Sequence, residues 1–342
     1  MKEKDEVEEG DRFPGAPHPR ERSELFGHAE TEAAVVAAFG QGRLPHAWLI
    51  GGLEGIGKAT LAYRIARFVL SNPDRGAQSL HVPADHPASR QIAALAHPDL
   101  LVLRRVAEEG KKLPSEILVT QARKSVGFFG STAAYGGYRV CIVDSIDEMN
   151  RYGANALLKV LEEPPPRSLL LIVSHTPGRV LATIRSRCQR LMLRPLSAAD
   201  VTRTLQSLAP EMEDLPEAQI PQAAEASGGS VRHALALLRG EGLEVRNLTR
   251  EALARLPATD GLALHALSDR MAGDEGLAVF AETVEDWLAD AARGPAERTR
   301  LARYAETWEK VRRAAAEAEV FRLDRKPFVF QVFAMLAEAT RR

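Results

Sequence analysis

The chain has 342 residues, 45% hydrophobic and 27% charged, with 45 Lys and Arg against 46 Asp and Glu for a formal net charge of −1. That length and composition suit two or three globular domains with ample buried cores, and near-neutrality argues against a free-standing nucleic-acid binder, which is usually distinctly basic. Two cysteines, Cys141 and Cys188, are too few for a disulfide framework or a four-thiolate zinc site, and no apolar run reaches the roughly 18 residues that a membrane helix needs.

Residues 1–22 open with Glu, Asp and Lys around no apolar core, which predicts a disordered, solvated lead-in rather than a signal peptide. Residues 29–40 suit a helix closed by Gly40. Ala47-Trp48-Leu49-Ile50 reads as a short buried strand. It runs directly into Gly52-Leu53-Glu54-Gly55-Ile56-Gly57-Lys58-Ala59-Thr60, and a helix over 59–70 follows with Leu61, Ile65, Phe68 and Val69 on one side. The stretch 71–96 is rich in Pro, Ala and His and has little strand character; His81, His86 and His97 do not form a ligand spacing. A strand is expected at 100–103, a helix at 115–128, and a β-branched strand at 138–143 ending in Asp144. A helix at 150–162 is stopped by Pro164-Pro165-Pro166, and a further strand covers 168–173. Strands alternating with helices imply an α/β fold with a parallel sheet covered on both faces.

From about Pro195 helical segments dominate. The expected organisation is a lead-in at 1–22, a phosphate-loop α/β domain at 23–194, a small helical lid at 195–243 and an all-helical domain at 244–342. In the last, Leu262, Leu264 and Leu267, then Phe280, Val284 and Leu288, then Phe328, Val332, Phe333 and Leu336 recur at helical spacing.

The glycine run nearly matches a phosphate-binding loop, and its strand–loop–helix setting is the context that such a loop requires. Gly52, Gly57 and Lys58 fit the pattern. The backbone N–H groups of Gly55–Lys58 would cradle phosphate, and Lys58 would add a point charge. Ala59 stands where a Ser or Thr hydroxyl normally holds magnesium. Thr60 is one position late and can reach phosphate only. Asp144, at the end of a strand beside the loop, suits the water shell of a metal ion. The following position usually carries a Glu that orients the attacking water; here it is Ser145. Asp147 and Glu148 lie past the strand end and read as solvated or helix-N-terminal charges. The site is built and then disarmed.

Two arginines complete the candidate set. Arg187 lies in Ser186-Arg187-Cys188 after the last expected strand. An arginine that reaches a neighbour's γ-phosphate is worth about 10³–10⁵ in rate, far more than a surface ion pair. Arg232, after Gly228-Gly229-Ser230-Val231, either begins a lid helix facing the phosphates or is solvated. Cys141 and Cys188 read as packing residues.

Together these residues resemble the delta prime family of clamp-loader subunits of bacterial DNA polymerase III, within the AAA+ superfamily. The resemblance spans roughly residues 22–340. Its most specific parts are Asp144-Ser-Ile-Asp-Glu-Met-Asn150, Asn155-Ala-Leu-Leu-Lys-Val-Leu-Glu-Glu-Pro-Pro165 and Ser186-Arg187-Cys188, with Leu25-Phe26-Gly27-His28 and Gly42-Arg43-Leu44-Pro45-His46-Ala47 in support. It implies an AAA+ sheet with a helical lid and an all-α C-terminal collar that joins a ring of subunits. It implies that Arg187 acts in trans as an arginine finger. Gly52, Gly55, Gly57, Lys58, Thr60, Asp144 and Arg232 then make up a degenerate nucleotide site, with Ser174 or His175 at the strand-end sensor position. ATP with magnesium is the cofactor to which that site is related. The family often carries a four-cysteine zinc module after the loop helix, but 71–98 has no Cys, so zinc is not expected. The implied partners are the tau or gamma ATPase subunits and the delta subunit, with the sliding clamp and primed DNA met through the complex. The implied compartment is the cytoplasm, with no membrane partner. Ala59 and Ser145 depart from the functional types and speak against hydrolysis by the chain alone, although it would be part of a polymerase holoenzyme. The alternatives are an ATP-hydrolysing motor subunit, which needs a hydroxyl at 59 and an acid at 145, and a phosphate-loop small-molecule kinase, which needs an acceptor pocket and no helical third domain.

Overall fold

The computed structural model describes residues 9–107, 112–212, 215–271, 273–293, 298–321 and 323–341. The chain divides into two compact units, Met1–Glu217 with Ser227–Arg232 and Ala218–Ala226 with His233–Arg342.

The first unit is built on five parallel strands: β1 (Ala47–Gly51), β2 (Leu100–Arg104), β3 (Arg139–Asp144), β4 (Ser168–Ser174) and β5 (Gln189–Met192), in the order β2-β3-β4-β1-β5. The order places the segments after β1, β3 and β4 side by side at the carboxyl ends of the strands, where open α/β sheets bind ligands. Side chains alternate between the two faces. Trp48, Ile50, Val140, Ile142, Leu169, Leu171 and Val173 pack with α1 (Ala29–Gly40) and α2 (Lys58–Leu70). Leu49, Cys141, Val143, Leu170 and Ile172 pack on the other side with α4 (Val119–Gly130) and α5 (Arg151–Glu162). Both faces are thus covered, as the near-continuous apolar runs of β3 and β4 require. The α/β class with an all-helical C-terminal region is the one observed.

Several local features depart from the pattern read in the chain. A short helix α3 (Pro87–Ala93) lies within the stretch that looked irregular; His86 caps it by accepting from the Ala88 amide, and Pro87 fills its first position. Helix α4 starts four residues later than expected, because Ile117 forms a parallel bridge with Met149. Strand β5 was not expected. It follows the short α6 (Ala182–Arg185), lies at the sheet edge and buries only Leu191, so it lacks the apolar run of a central strand.

Residues 1–8 of the expected disordered lead-in lie outside the described residues. Residues 9–22 are packed. The reason is charge: Arg104, buried at the end of β2, is met by Glu9 at 2.6 Å and Asp11 at 2.8 Å. Removing either carboxylate would leave a buried cation short of a partner. Arg20 also pairs with Glu9, at 3.1 Å, and buried Arg67 on α2 donates to the carbonyls of Arg20 and Arg22. A solvated reading of an acidic segment fails when the folded core presents unpaired arginines to it.

After β5 the first unit continues with α7 (Ala198–Leu208). Ser197 caps this helix by accepting from the Asp200 amide at 3.1 Å.

The second unit contains α8 (Ile220–Ala226), most of α9 (Val231–Leu238), α10 (Gly242–Ala254), α11 (Gly261–Arg270), α12 (Gly273–Arg293), α13 (Arg298–Val320) and α14 (Arg325–Thr340). Phe280, Val284, Phe328, Val332 and Phe333 are buried, and the Phe280 ring of α12 meets the Phe328 ring of α14 edge-on at 5.7 Å and lies 6.3 Å from that of Phe333. Leu264 and Leu267 are buried, whereas Leu262, expected beside them, is 82% exposed. It lies on the first turn of α11, where the Asp260 carboxylate caps the Leu262 and Ala263 amides. Among the described residues, no helix is long and apolar enough to cross a membrane, and no group of three His, Cys, Asp or Glu side chains forms a metal-ligand set.

Candidate functional site

The loop between β1 and α2 takes its shape from three glycines. Gly52, Gly55 and Gly57 have φ of 144°, 75° and 93°, a region that side chains rarely adopt. Gly55 also lies against a second segment. A Cβ there would stand 2.5 Å from the Arg232 Cβ, because the Val231 amide donates to the Gly55 carbonyl at 2.9 Å and the Ser230 hydroxyl donates to the Glu54 carbonyl at 2.9 Å. The loop is therefore stitched to Ser230 and Val231 through its own Glu54 and Gly55 carbonyls.

Lys58 opens α2 and is 3% exposed. Its ammonium donates to the Leu53 carbonyl of its own loop. Burial pulls its pKa down to about 8, against the pull of Glu54, Asp144 and Asp147. Ala59 and Thr60 follow on the first turn, both half-buried. Arg232 places its Nε 3.1 Å from a Glu54 carboxylate oxygen, and its guanidinium lies 5.6 Å from the centre of the Phe13 ring. Glu54 was not singled out in the sequence, because nothing local marks its pairing with a residue 178 positions later, Arg232.

Asp144 ends β3, and its backbone is paired in register with Arg104. Burial pushes its carboxyl up to about 8, helped by Asp11 and Glu148 and opposed by Lys58 and Arg104. Asp144 Oδ2, Ser145 Oγ and Tyr63 OH are buried with no hydrogen-bond partner among the described residues, an arrangement that costs stability. Ser174 ends β4 and is paired in register with Gly51, at the start of the loop. Its hydroxyl donates to Asp147 at 3.1 Å, and the His175 and Thr176 amides donate to the same carboxylate at 2.6 and 3.1 Å. Burial alone would raise the Asp147 carboxyl, but the Thr176 hydroxyl, these amides and Ser174 hold it below its ordinary range. Asp147 thus fastens the turn after β4 instead of standing free in solvent. Glu148 pairs with Arg105 at 2.7 Å. Neither carboxylate takes the place of the acid missing at 145.

The structure therefore gathers Gly52, Gly55, Gly57, Lys58, Asp144, Ser174, His175 and Arg232 around the carboxyl ends of the central strands. It sets Arg187 elsewhere. Arg187 follows α6, donates to the Thr183 carbonyl at 2.9 Å, and pairs with Glu162 of α5 at 3.0 Å, with side chains 36% and 50% exposed. The backbone cradle and Lys58 fit a polyphosphate. Position 59 has no hydroxyl and position 145 has no carboxylate, the two groups that a magnesium ion and an activated water ordinarily meet there.

A family model described as DNA polymerase III, delta subunit, matches residues 27–197. The DNA polymerase III subunit delta' of Pseudomonas aeruginosa is 36% identical over 231 residues, covering 65% of this chain and 66% of that protein. The delta' subunit of Escherichia coli is 32% identical over 234 residues, covering 68% and 66%. A DNA polymerase III subunit gamma of Buchnera aphidicola is 28% identical over 246 residues, covering 70% and 65%. In each case the match spans just under two thirds of the relative's own length.

Proposed function

Because this chain belongs to the DNA polymerase III delta subunit family, we propose that it is a clamp-loader subunit of the delta prime kind. It serves as a structural AAA+ member of a hetero-oligomer, helps to load the sliding clamp on primed DNA, and lends Arg187 to the nucleotide of a neighbouring ATPase subunit. The observation that carries this reading is the contrast between two parts of the first unit. The phosphate loop keeps its glycine geometry and Lys58 but has Ala59 and Ser145 where metal and water ligands belong. Arg187 lies on a partly exposed loop, held by Glu162 and a backbone carbonyl. A cation kept outside a site that cannot hydrolyse suits action on another chain's phosphates.

The chemistry is electrostatic. A guanidinium set beside a γ-phosphate neutralises charge that develops as the bond breaks, and its planar fork matches two phosphate oxygens. Lys58, Gly52, Gly55, Gly57 and Thr60 would line phosphates, with Asp144 and Arg232 at the metal and lid positions of a site that does not turn over.

The partners this implies are the gamma or tau ATPase subunits, with the delta subunit, the clamp and primed DNA met through the assembly, in the cytoplasm. Residues 195–243 would act as the lid and residues 244–342 as the collar that joins the ring. The motor-subunit reading is disfavoured by the same two positions, 59 and 145. The test is ATP turnover by the reconstituted assembly with and without the Arg187 guanidinium.

A further inference from the structure

We propose that residues 9–22 form a strap that holds the degenerate nucleotide site shut, so that the phosphate loop accepts a nucleotide only after the strap is released. The inference rests on reading Gly52–Lys58 as a phosphate loop and is independent of the role of Arg187.

The strap is anchored at three places, one of them on the site residue Arg232. At one end the backbone of Glu9 bridges Val106, just past β2, and the Glu9 and Asp11 carboxylates grip Arg104. In the middle the Phe13 ring lies under the Arg232 guanidinium. At the other end His18, fully buried, meets the Tyr63 ring of α2 edge-on at 5.8 Å. His18 Nδ1 accepts from the Arg20 amide at 3.1 Å, so Nε2 carries the proton that it donates to Asp11 at 2.9 Å. Ala16 is buried as well. Few solvated tails carry this many internal partners.

The strap closes a site whose cations are already occupied. Lys58 donates to its own loop, and Arg232 pairs with Glu54 while it covers Phe13. A nucleotide triphosphate that draws Arg232 away from Glu54 also removes the contact that seats Phe13. The charge near the cradle points the same way. Asp11 of the strap lies near enough to Asp144 to raise its pKa, and added phosphates would meet the Asp11 carboxylate while the strap stays in place. When the competent state is a minor fraction, the apparent affinity falls by that fraction, and releasing the strap restores it.

The test uses the full isolated chain and methylanthraniloyl-labelled ATP, titrated with and without magnesium chloride. The variant Phe13→Ala removes the contact of the strap with Arg232, keeps Glu54 in the loop, and leaves Glu9, Asp11 and Arg104 paired. It should bind at least about tenfold more tightly than the parent chain, and amides of residues 9–22 should exchange faster in the variant. Removal of the first 16 residues should act in the same direction. If that shorter chain unfolds because Arg104 has lost its carboxylates, Phe13→Ala decides. Equal affinity, weaker affinity, or no binding by either protein would overturn the proposal, because the strap would then be no barrier. Assembly turnover through Arg187 is a separate readout, so either reading can fail alone.

Discussion

The Arg187 guanidinium lies 3.0 Å from the Glu162 carboxylate, which ties the loop after α6 to the last turn of α5. Both side chains are at least a third exposed, so water screens the pair. Such pairs contribute about 0–1 kcal/mol. Glu162→Ala should therefore change stability by less than about 1 kcal/mol in chemical denaturation. A loss of several kcal/mol would show that Arg187 is committed to its own chain and not available to a partner.

Asp144 predicts an unusual pH dependence. Its folded pKa of about 8 lies above its ordinary value of 3.8. Between those values the unfolded chain has released the proton and the folded chain has kept it, so this group makes stability fall as pH rises from about 4 to about 8, with no further loss above that. Asp144→Asn removes the ionisation and keeps the shape. It should raise stability at pH 7 by about 2–4 kcal/mol and flatten that slope, as measured by denaturant titration at several pH values. An unchanged slope would place the titrating group elsewhere.

Asp147 behaves in the opposite sense. Its carboxylate accepts from Ser174, His175 and Thr176, which hold its pKa below the ordinary value. Its contribution is present above the unfolded pKa and is lost as pH falls through the folded one. Asp147→Ala should cost about 1–3 kcal/mol and speed amide exchange at His175 and Thr176. Unchanged exchange there would contradict the fastening role.

Gly57 tests whether the loop geometry matters to the stability of the fold. It has φ of 93°, and a Cβ would stand 2.7 Å from Leu25 Cδ1. Gly57→Ala should lower stability by more than about 1 kcal/mol, read as a lower melting temperature. No loss would mean that the loop is free to rearrange.

The central strands and the loop–helix junction were legible in the chain because each has a local signature. The apolar runs of β3 and β4 announce burial on both faces, and Gly52, Gly55 and Gly57 announce a backbone that only glycine adopts. What was not legible depends on residues far apart in sequence. Glu9 and Asp11 look solvated until Arg104 is placed beside them; Glu54 looks idle until Arg232 arrives. Strand β5 stayed hidden because an edge strand needs one buried residue, Leu191, and no periodic run. His18 carries only the local signal of a cap before Pro19, shared with Glu21; its burial follows from Asp11 and Tyr63.

The most direct measurement is steady-state ATP turnover by an assembly reconstituted from this chain, its ATPase partners, the clamp and primed DNA, with Arg187 intact or replaced by Ala. The account predicts that Arg187→Ala folds and assembles normally but slows turnover at the neighbouring site by about 10³-fold or more. Lys at this position should fail to rescue it, because an ammonium lacks the planar fork. Unchanged turnover by a fully assembled Arg187→Ala complex would contradict it.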